Sequence, residues 1–285
     1  MDLIIKKLIN NINKTNQNKS SHWKKYLNKN DIFLNEYEHL GFGSFTKKSY
    51  KNNIQKILGK IIFGKKIFDS EIYKKYEFLY NSINRFVDID TIRHIFTFEK
   101  IKNITNVKKI CIIGDGKLNG VIGANIAFPD AKIFSVNLSE VIINDLLILK
   151  KLKHELNTSF QLVEKNFDEN KNKLYFIPSN LKKHLYDKNI DLFINIASFQ
   201  EMDYSEIFNY FDIVKNNKSI LYCCNRENKK LPCGEEISFH KYPWNNSKII
   251  FWEDCPWHQR FYTSKFPFIK KYDGNVIHCM ANFSE

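Results

Sequence analysis

Long apolar runs, paired cysteines and arginine are what this 285-residue chain has little of. No window holds the roughly 18 consecutive apolar residues that a membrane-spanning helix needs, so no span is expected. The N-terminal MDLIIKKLINNINKTNQN has neither an unbroken apolar stretch nor a small-residue cleavage site, so it does not read as a secretory leader. A cytoplasmic protein is the expectation. The six cysteines (Cys111, Cys223, Cys224, Cys233, Cys255 and Cys279) form no CxxC pair. Cys233, His240, Cys255 and His258 can be imagined around zinc, but the paired spacing of such sites is missing and no metal is expected. Most of the thiols fall on or beside predicted strands, where they act as small apolar residues. Of 44 basic residues only Arg85, Arg93, Arg226 and Arg260 are arginine. The net charge of +13 would by itself suggest a nucleic-acid partner. Its lysines are dispersed, however, with no Arg-rich run or basic-aromatic repeat. That pattern reads as a solvated basic surface, and nucleic acid is not the expected partner.

Proline is absent from the first 128 residues, then occurs at Pro129 and Pro178, with four more between Pro232 and Pro267. Because proline breaks helix interiors, its absence permits a helical N-terminal third. Residues 70–86 add positive evidence: Ser70 suits an N-cap, and Ile72, Tyr76, Leu79, Tyr80 and Ile83 follow a helical stripe. Leu3, Ile4, Leu8 and Ile12 make a shorter amphipathic stretch. Residues 1–100 show no catalytic chemistry. Residues 1–103 therefore read as a helical lid or oligomerisation region, which makes a homodimer one expectation.

From residue 108 short apolar strands alternate with helices. Strands are expected at 109–113, 132–137, 174–177, 190–196 and 218–223, with helices at about 117–127, 139–152 and 203–215. Asp203 and Glu206 resemble a capping box, and Ile207, Phe208, Phe211 and Val214 make the buried face of the last helix. Residues 248–254 and 275–283 read as two further strands without a long helix between them. Alternation of this kind implies right-handed βαβ crossovers and a parallel sheet. The expected fold is a doubly wound, Rossmann-like α/β domain over 104–285, with seven strands.

Gly114, Gly116, Gly120 and Gly123 fall within ten residues of ICIIGDGKLNGVIGA. A strand entering Gly114-Asp115-Gly116 ahead of a helix is a nucleotide-binding turn, in which glycine permits the tight bend and close approach of a ligand. The spacing is GxGxxxG, not the GxGxxG that cradles a pyrophosphate, and no Gly-Lys-Ser/Thr follows to make a P-loop. Close helix–strand packing alone would also use such glycines. The end of the second strand, where a ribose-binding acid is usual, carries Asn137 in KIFSVNLSE; asparagine keeps hydrogen bonding but loses the charge. Glu140 lies near enough in sequence to compensate.

The segment IDLFINIASFQEMD (190–203), with the glycine turn and VNLSE, resembles the sugar O-methyltransferase family of class I S-adenosyl-L-methionine (SAM)-dependent enzymes. INIASFQEM is its most specific piece, and the likeness extends to SHWKKYL near the N-terminus and to the aromatic C-terminus. The resemblance implies a seven-stranded methyltransferase sheet and SAM as cofactor. It also implies a cofactor site at Gly114, Asp115, Gly116, Asn137 and Leu138, reaching Asn195 and Ser198, and a carbohydrate or sugar-nucleotide acceptor near the end of the fourth strand.

Methyl transfer to a hydroxyl needs in-line positioning and a base. Glu201 and His258 are the candidates for that base, with Gln200 as a positioning group; capping of the following helix is the alternative role for Gln200 and Glu201. In a chain that uses lysine almost everywhere, Arg226 and Arg260 suit a planar bidentate contact to an anionic group. Tyr242 and Trp257 could stack on a sugar face, or simply pack the sheet edge. Two other functions fit the same sequence: a methyltransferase-fold scaffold without catalysis, and an RNA methyltransferase, against which stands the absence of an NPPY-type motif.

Overall fold

The computed structural model describes residues 4, 5, 8, 19–26, 51–104, 106–156, 158–164, 169, 171–262 and 269–284. Leu3 and Ile12 of the amphipathic stretch lie outside the described residues; Leu8 is buried. The helices are α1 (Ser21–Tyr26), α2 (Lys51–Phe63), α3 (Lys65–Phe68), α4 (Glu71–Ser82), α5 (Ile89–Ile101), α6 (Asn119–Ala127), α7 (Ser139–Lys151), α8 (Lys153–Leu156) and α9 (Tyr204–Asn216). Ser70 caps α4 by accepting from the Tyr73 amide at 3.1 Å. That helix stops four residues before the predicted end because Asn84 turns left-handed at φ 56°.

The strands are β1 (Lys109–Ile113), β2 (Lys132–Asn137), β3 (Phe160–Leu162), β4 (Leu174–Pro178), β5 (Leu192–Ile196), β6 (Ile220–Arg226), β7 (Asn228–Lys230), β8 (Glu236–Ser238), β9 (Lys248–Asp254), β10 (Arg260–Tyr262), β11 (Ile269–Lys271) and β12 (Val276–Asn282). Eight form one sheet in the order β3-β4-β2-β1-β5-β6-β12-β9. Strands β3 to β6 of this order run parallel, and β12 lies antiparallel between β6 and β9. The doubly wound, mostly parallel sheet expected from the sequence is therefore present, and seven of the eight strands fall where the sequence puts them. The eighth, β3, is a three-residue edge strand, and β7–β8 and β10–β11 are small hairpins. All five are too short to carry a periodic signal.

Side chains of β1 alternate between two layers, as a strand's period of two requires. Ile110 and Ile112 join the core beneath α4, α5, α6 and α7, while Cys111 and Ile113 join the core beneath α9. The first of these cores crosses the boundary expected at residue 103, because Tyr76, Tyr80, Ile95 and Phe98 pack with Ile122 and Ile142. Gly123 allows this approach: a Cβ there would lie 2.1 Å from the Phe98 ring and 2.5 Å from the Tyr76 hydroxyl. The helices α4 and α5 thus form part of one layer on the sheet. Among the described residues no helix is long and apolar enough to cross a membrane.

Candidate active site

A cavity of about 480 Å³ opens at the carboxyl ends of β2, β1, β5 and β6. Its centre is where strand order reverses between β1 and β5, the usual ligand position in open α/β sheets. Gly114, Asp115, Gly116, Asn137, Leu138, Ser198, Gln200, Glu201, Arg226 and His258 all line it. These residues come from segments far apart in sequence, and the sheet brings them together.

Gly114 has φ +78°, and a Cβ there would lie 1.8 Å from Ser198 Oγ and 2.4 Å from Ser198 Cβ. Its glycine identity is therefore required by the neighbouring loop. Ala197, just before Ser198, is also left-handed at φ 58°, so the β5 end of the cavity carries backbone strain. Asn195 does not line the cavity. It is fully buried, donating to the Ile113 carbonyl at 3.1 Å and accepting from the Phe199 amide at 3.1 Å and Asn225 Nδ2 at 2.8 Å. Asn225 Oδ1 accepts from the Gln200 amide, and Gln200 Oε1 accepts from the Arg226 amide at 2.7 Å. This chain of amides ties the ends of β1, β5 and β6 together beneath the floor.

Asp115 is 3% exposed; Oδ2 accepts from the Val121 amide at 2.9 Å, and Oδ1 has no partner. Both hydrogen bonds of the Asn137 side chain use Nδ2, which donates to the Asp115 carbonyl and, at 3.3 Å, to Asp145 Oδ2. Burial, and then the Asp115 charge, push the Asp145 carboxyl well above the usual range. From the other side, Arg85 donates to the Lys117 carbonyl at 3.1 Å and to Asn119 Oδ1 at 2.8 Å, and Tyr80 donates to the same Oδ1. The N-terminal helices thus clamp the glycine loop.

Several expected roles change once partners are visible. Glu140, the suggested substitute acid, is 1% exposed and paired with Lys19. Glu201, a candidate base, is ion-paired with Lys229 at 2.8 Å and lies 3.4 Å from His22, while its carbonyl accepts from Ser20 Oγ. It anchors the segment at 19–23 over the cavity and is not a free carboxylate. Asp203 occupies the N-cap of α9 without a capping hydrogen bond, and Glu206 pairs with Lys182 at 2.7 Å, so no capping box forms. Tyr242 lies outside the cavity, packed against Phe199, Phe211 and Phe239. Trp257 stacks on Phe96 with centroids 5.3 Å apart, and with Arg260 it borders a separate pocket of about 270 Å³. These three residues are not brought to the site: the Trp257 and Tyr242 rings pack into the two cores, and the Arg260 carbonyl is held by Arg93, which donates to it. His240, itself exposed, pairs with half-buried Glu227 at 3.1 Å. Among the described residues no three His, Cys, Asp or Glu side chains are grouped to hold a metal, and the cysteines are free thiols.

His258 is 6% exposed, and its Nε2 has no hydrogen-bond partner. Burial first, then the neighbouring Arg93, His94 and His278, hold its pKa well below the ordinary imidazole value. His94, on α5, also lines the cavity, with an unpartnered Nδ1 and a pKa lowered by burial despite nearby Asp115, Asp90 and Asp88. The sequence did not single out His94, Arg93, Asp90 or Tyr272, nor Lys19, Ser20, His22 and Trp23, all of which line the cavity. The scarcity of arginine was a usable signal for Arg93, and His22 and Trp23 fall within the SHWKKYL segment of the family likeness; nothing in the sequence flagged the others.

No protein-family model matches the sequence, and no curated protein matches it. Among solved structures, the chain is similar to a SAM-dependent methyltransferase from Clostridium acetobutylicum, at 14% identity and TM-score 0.42, over 83% of this chain and 100% of that one. It is similar to the mitomycin 7-O-methyltransferase MmcR at 10% identity and TM-score 0.40, over 76% of this chain and 69% of that one. A third is coclaurine N-methyltransferase bound to N-methylheliamine and SAH, at 10% identity and TM-score 0.42, over 57% and 51% of the two chains.

Proposed function

We propose that this chain is a SAM-dependent O-methyltransferase whose acceptor is a sugar hydroxyl of a glycan, polysaccharide or sugar-nucleotide precursor. The observation that carries the cofactor reading is Asp115. It lines a cavity at the switch point of a doubly wound sheet, directly after the first strand, and its buried Oδ1 has no hydrogen-bond partner. A buried carboxylate oxygen without a donor is costly, and the ammonium of a methionine moiety would satisfy it. Asn137 and Leu138 at the end of β2 would take the ribose, with Asn137 Oδ1 as acceptor since both its present bonds use Nδ2. Bound SAM supplies an electrophilic methyl group on sulfonium sulfur. The sugar acceptor follows from the resemblance across residues 190–203.

His258 Nε2 is the base in this reading: the residue lines the cavity, is neutral at physiological pH, and its Nε2 has no hydrogen-bond partner. Removing the proton of a hydroxyl typically contributes about 10²–10⁴-fold. Glu201 holds Lys229 and the segment at 19–23 in place, and Gln200 fixes Arg226. The scaffold reading draws on Asn137, whose amide is committed to the loop, and it requires that SAM not bind.

Calorimetric titration with SAM and S-adenosylhomocysteine, followed by single-turnover transfer from labelled SAM to glycan extracts, tests both parts. His258→Ala is expected to slow transfer by at least about 100-fold at unchanged SAM affinity. Absence of SAM binding by folded wild type overturns the enzyme reading. Full-rate transfer by His258→Ala overturns the base, and transfer that labels no carbohydrate overturns the acceptor.

A further inference from the structure

The cavity's basic side chains differ in one respect. Lys19, Arg93, Lys117 and Lys229 each have an acidic partner within 3.5 Å. Arg226, among the described residues, has none. Its main chain is fixed on both sides, by Gln200 Oε1 on its amide and by pairing with Val276 of β12. Its guanidinium carbon lies 4.6 Å from the centroid of the Tyr272 ring, and the buried guanidinium of Arg93 lies 5.4 Å from the same ring. A positive charge held half-buried on an aromatic ring, with no counter-charge, is a prepared anion site.

Its place along the sheet says what the anion belongs to. The ends of β2, β1, β5 and β6 present Asn137, Asp115, Ser198 and Arg226 in that order. Adjacent strands are about 4.8 Å apart, so Arg226 stands about 10 Å from the glycine turn, beyond the β5 loop. We infer that Arg226, backed by Tyr272 and Arg93, recognises an oxyanion on the acceptor, so that the substrate is an acidic sugar bearing a carboxylate or a phosphate. The word acceptor rests on the methyltransferase reading; the oxyanion site does not. A guanidinium suits either oxyanion because both match its planar fork.

The test uses glucuronate, glucose 1-phosphate and glucose as probes, titrated into the full chain with and without S-adenosylhomocysteine. One or both anionic sugars should bind at least about tenfold tighter than glucose, and which one does so separates carboxylate from phosphate. Arg226→Gln should abolish that preference while S-adenosylhomocysteine affinity stays within about twofold, and Arg226→Lys should restore part of it. The inference is overturned if glucose binds as well as both anions, if no anion binds measurably, or if Arg226→Gln keeps the preference. It is also overturned if Arg226→Gln weakens S-adenosylhomocysteine in parallel, which would assign the guanidinium to the cofactor's own carboxylate. Arg226-dependent anion binding in a protein that binds no S-adenosylhomocysteine would sustain the oxyanion site and remove the cofactor reading.

Discussion

Gly114→Ala is the substitution whose consequence follows most directly from the geometry. The backbone there has φ +78°, where an L side chain costs about 1–2 kcal/mol. The new methyl would lie 1.8 Å from Ser198 Oγ and 2.4 Å from Ser198 Cβ, but 3.8 Å from Ser198 Cα, which is ordinary contact. Relieving the first two contacts requires the β5 loop to move, an overpacking cost of about 1–3 kcal/mol. Together these predict a loss of about 2–5 kcal/mol, a large share of the stability of a domain. The two parts separate in a double-mutant cycle read by urea unfolding. Ser198→Gly removes both clashing atoms, so the pair should recover about 1–3 kcal/mol relative to additivity. Ser198→Ala keeps the Cβ at 2.4 Å and should recover little. A Gly114→Ala protein within about 0.5 kcal/mol of wild type would refute the packing described at the turn. So would equal rescue by Ser198→Ala and Ser198→Gly.

Gly123→Ala should lose about 1–3 kcal/mol by urea unfolding, although the same change in a free helix gains about 1 kcal/mol; a gain would mean that Phe98 and Tyr76 do not pack on α6. Asn137→Asp should destabilise by about 1–3 kcal/mol and fail to tighten S-adenosylhomocysteine binding by calorimetry, because a carboxylate would face the Asp115 carbonyl and Asp145; tighter binding at full stability would refute this. His278 is fully buried between Tyr222 and Glu253, and burial, then Lys100, lower its pKa to about 4. The unfolded chain takes up that proton near pH 6.5 and the folded chain only near 4, so stability falls as pH drops through this window, by up to about 3 kcal/mol. Urea unfolding between about pH 7 and about pH 4 should show a smaller loss in His278→Gln than in wild type, and an unchanged pH slope would exclude His278 as the source.

Local pattern alone made the parallel sheet legible. The runs at 109–113, 132–137 and 248–254 are apolar stretches bounded by turn residues, and the structure makes strands of the same residues. Ser70 and the glycine turn were legible for the same reason, since capping and tight turns are settled by a few adjacent residues. The cavity was half legible. Gly114, Asp115, Asn137, Ser198 and His258 follow from their places at strand ends or in the C-terminal loop, and all five line it. Partners were not legible. Glu201 and Glu140 look like available carboxylates in sequence, and only folding delivers Lys229 and His22 to the first and Lys19, 121 residues away, to the second. Asn195 and Tyr242 look like site residues until the structure buries one under the floor and the other in the core. Arg93 and His94 reach the cavity because α5 packs on α6, a contact set by shape complementarity between helices that no local pattern encodes. Periodicity and turn chemistry are short-range and survive in one dimension. Which charge is paired and which is left to meet a ligand depends on distances across the sheet, and those exist only in the folded chain.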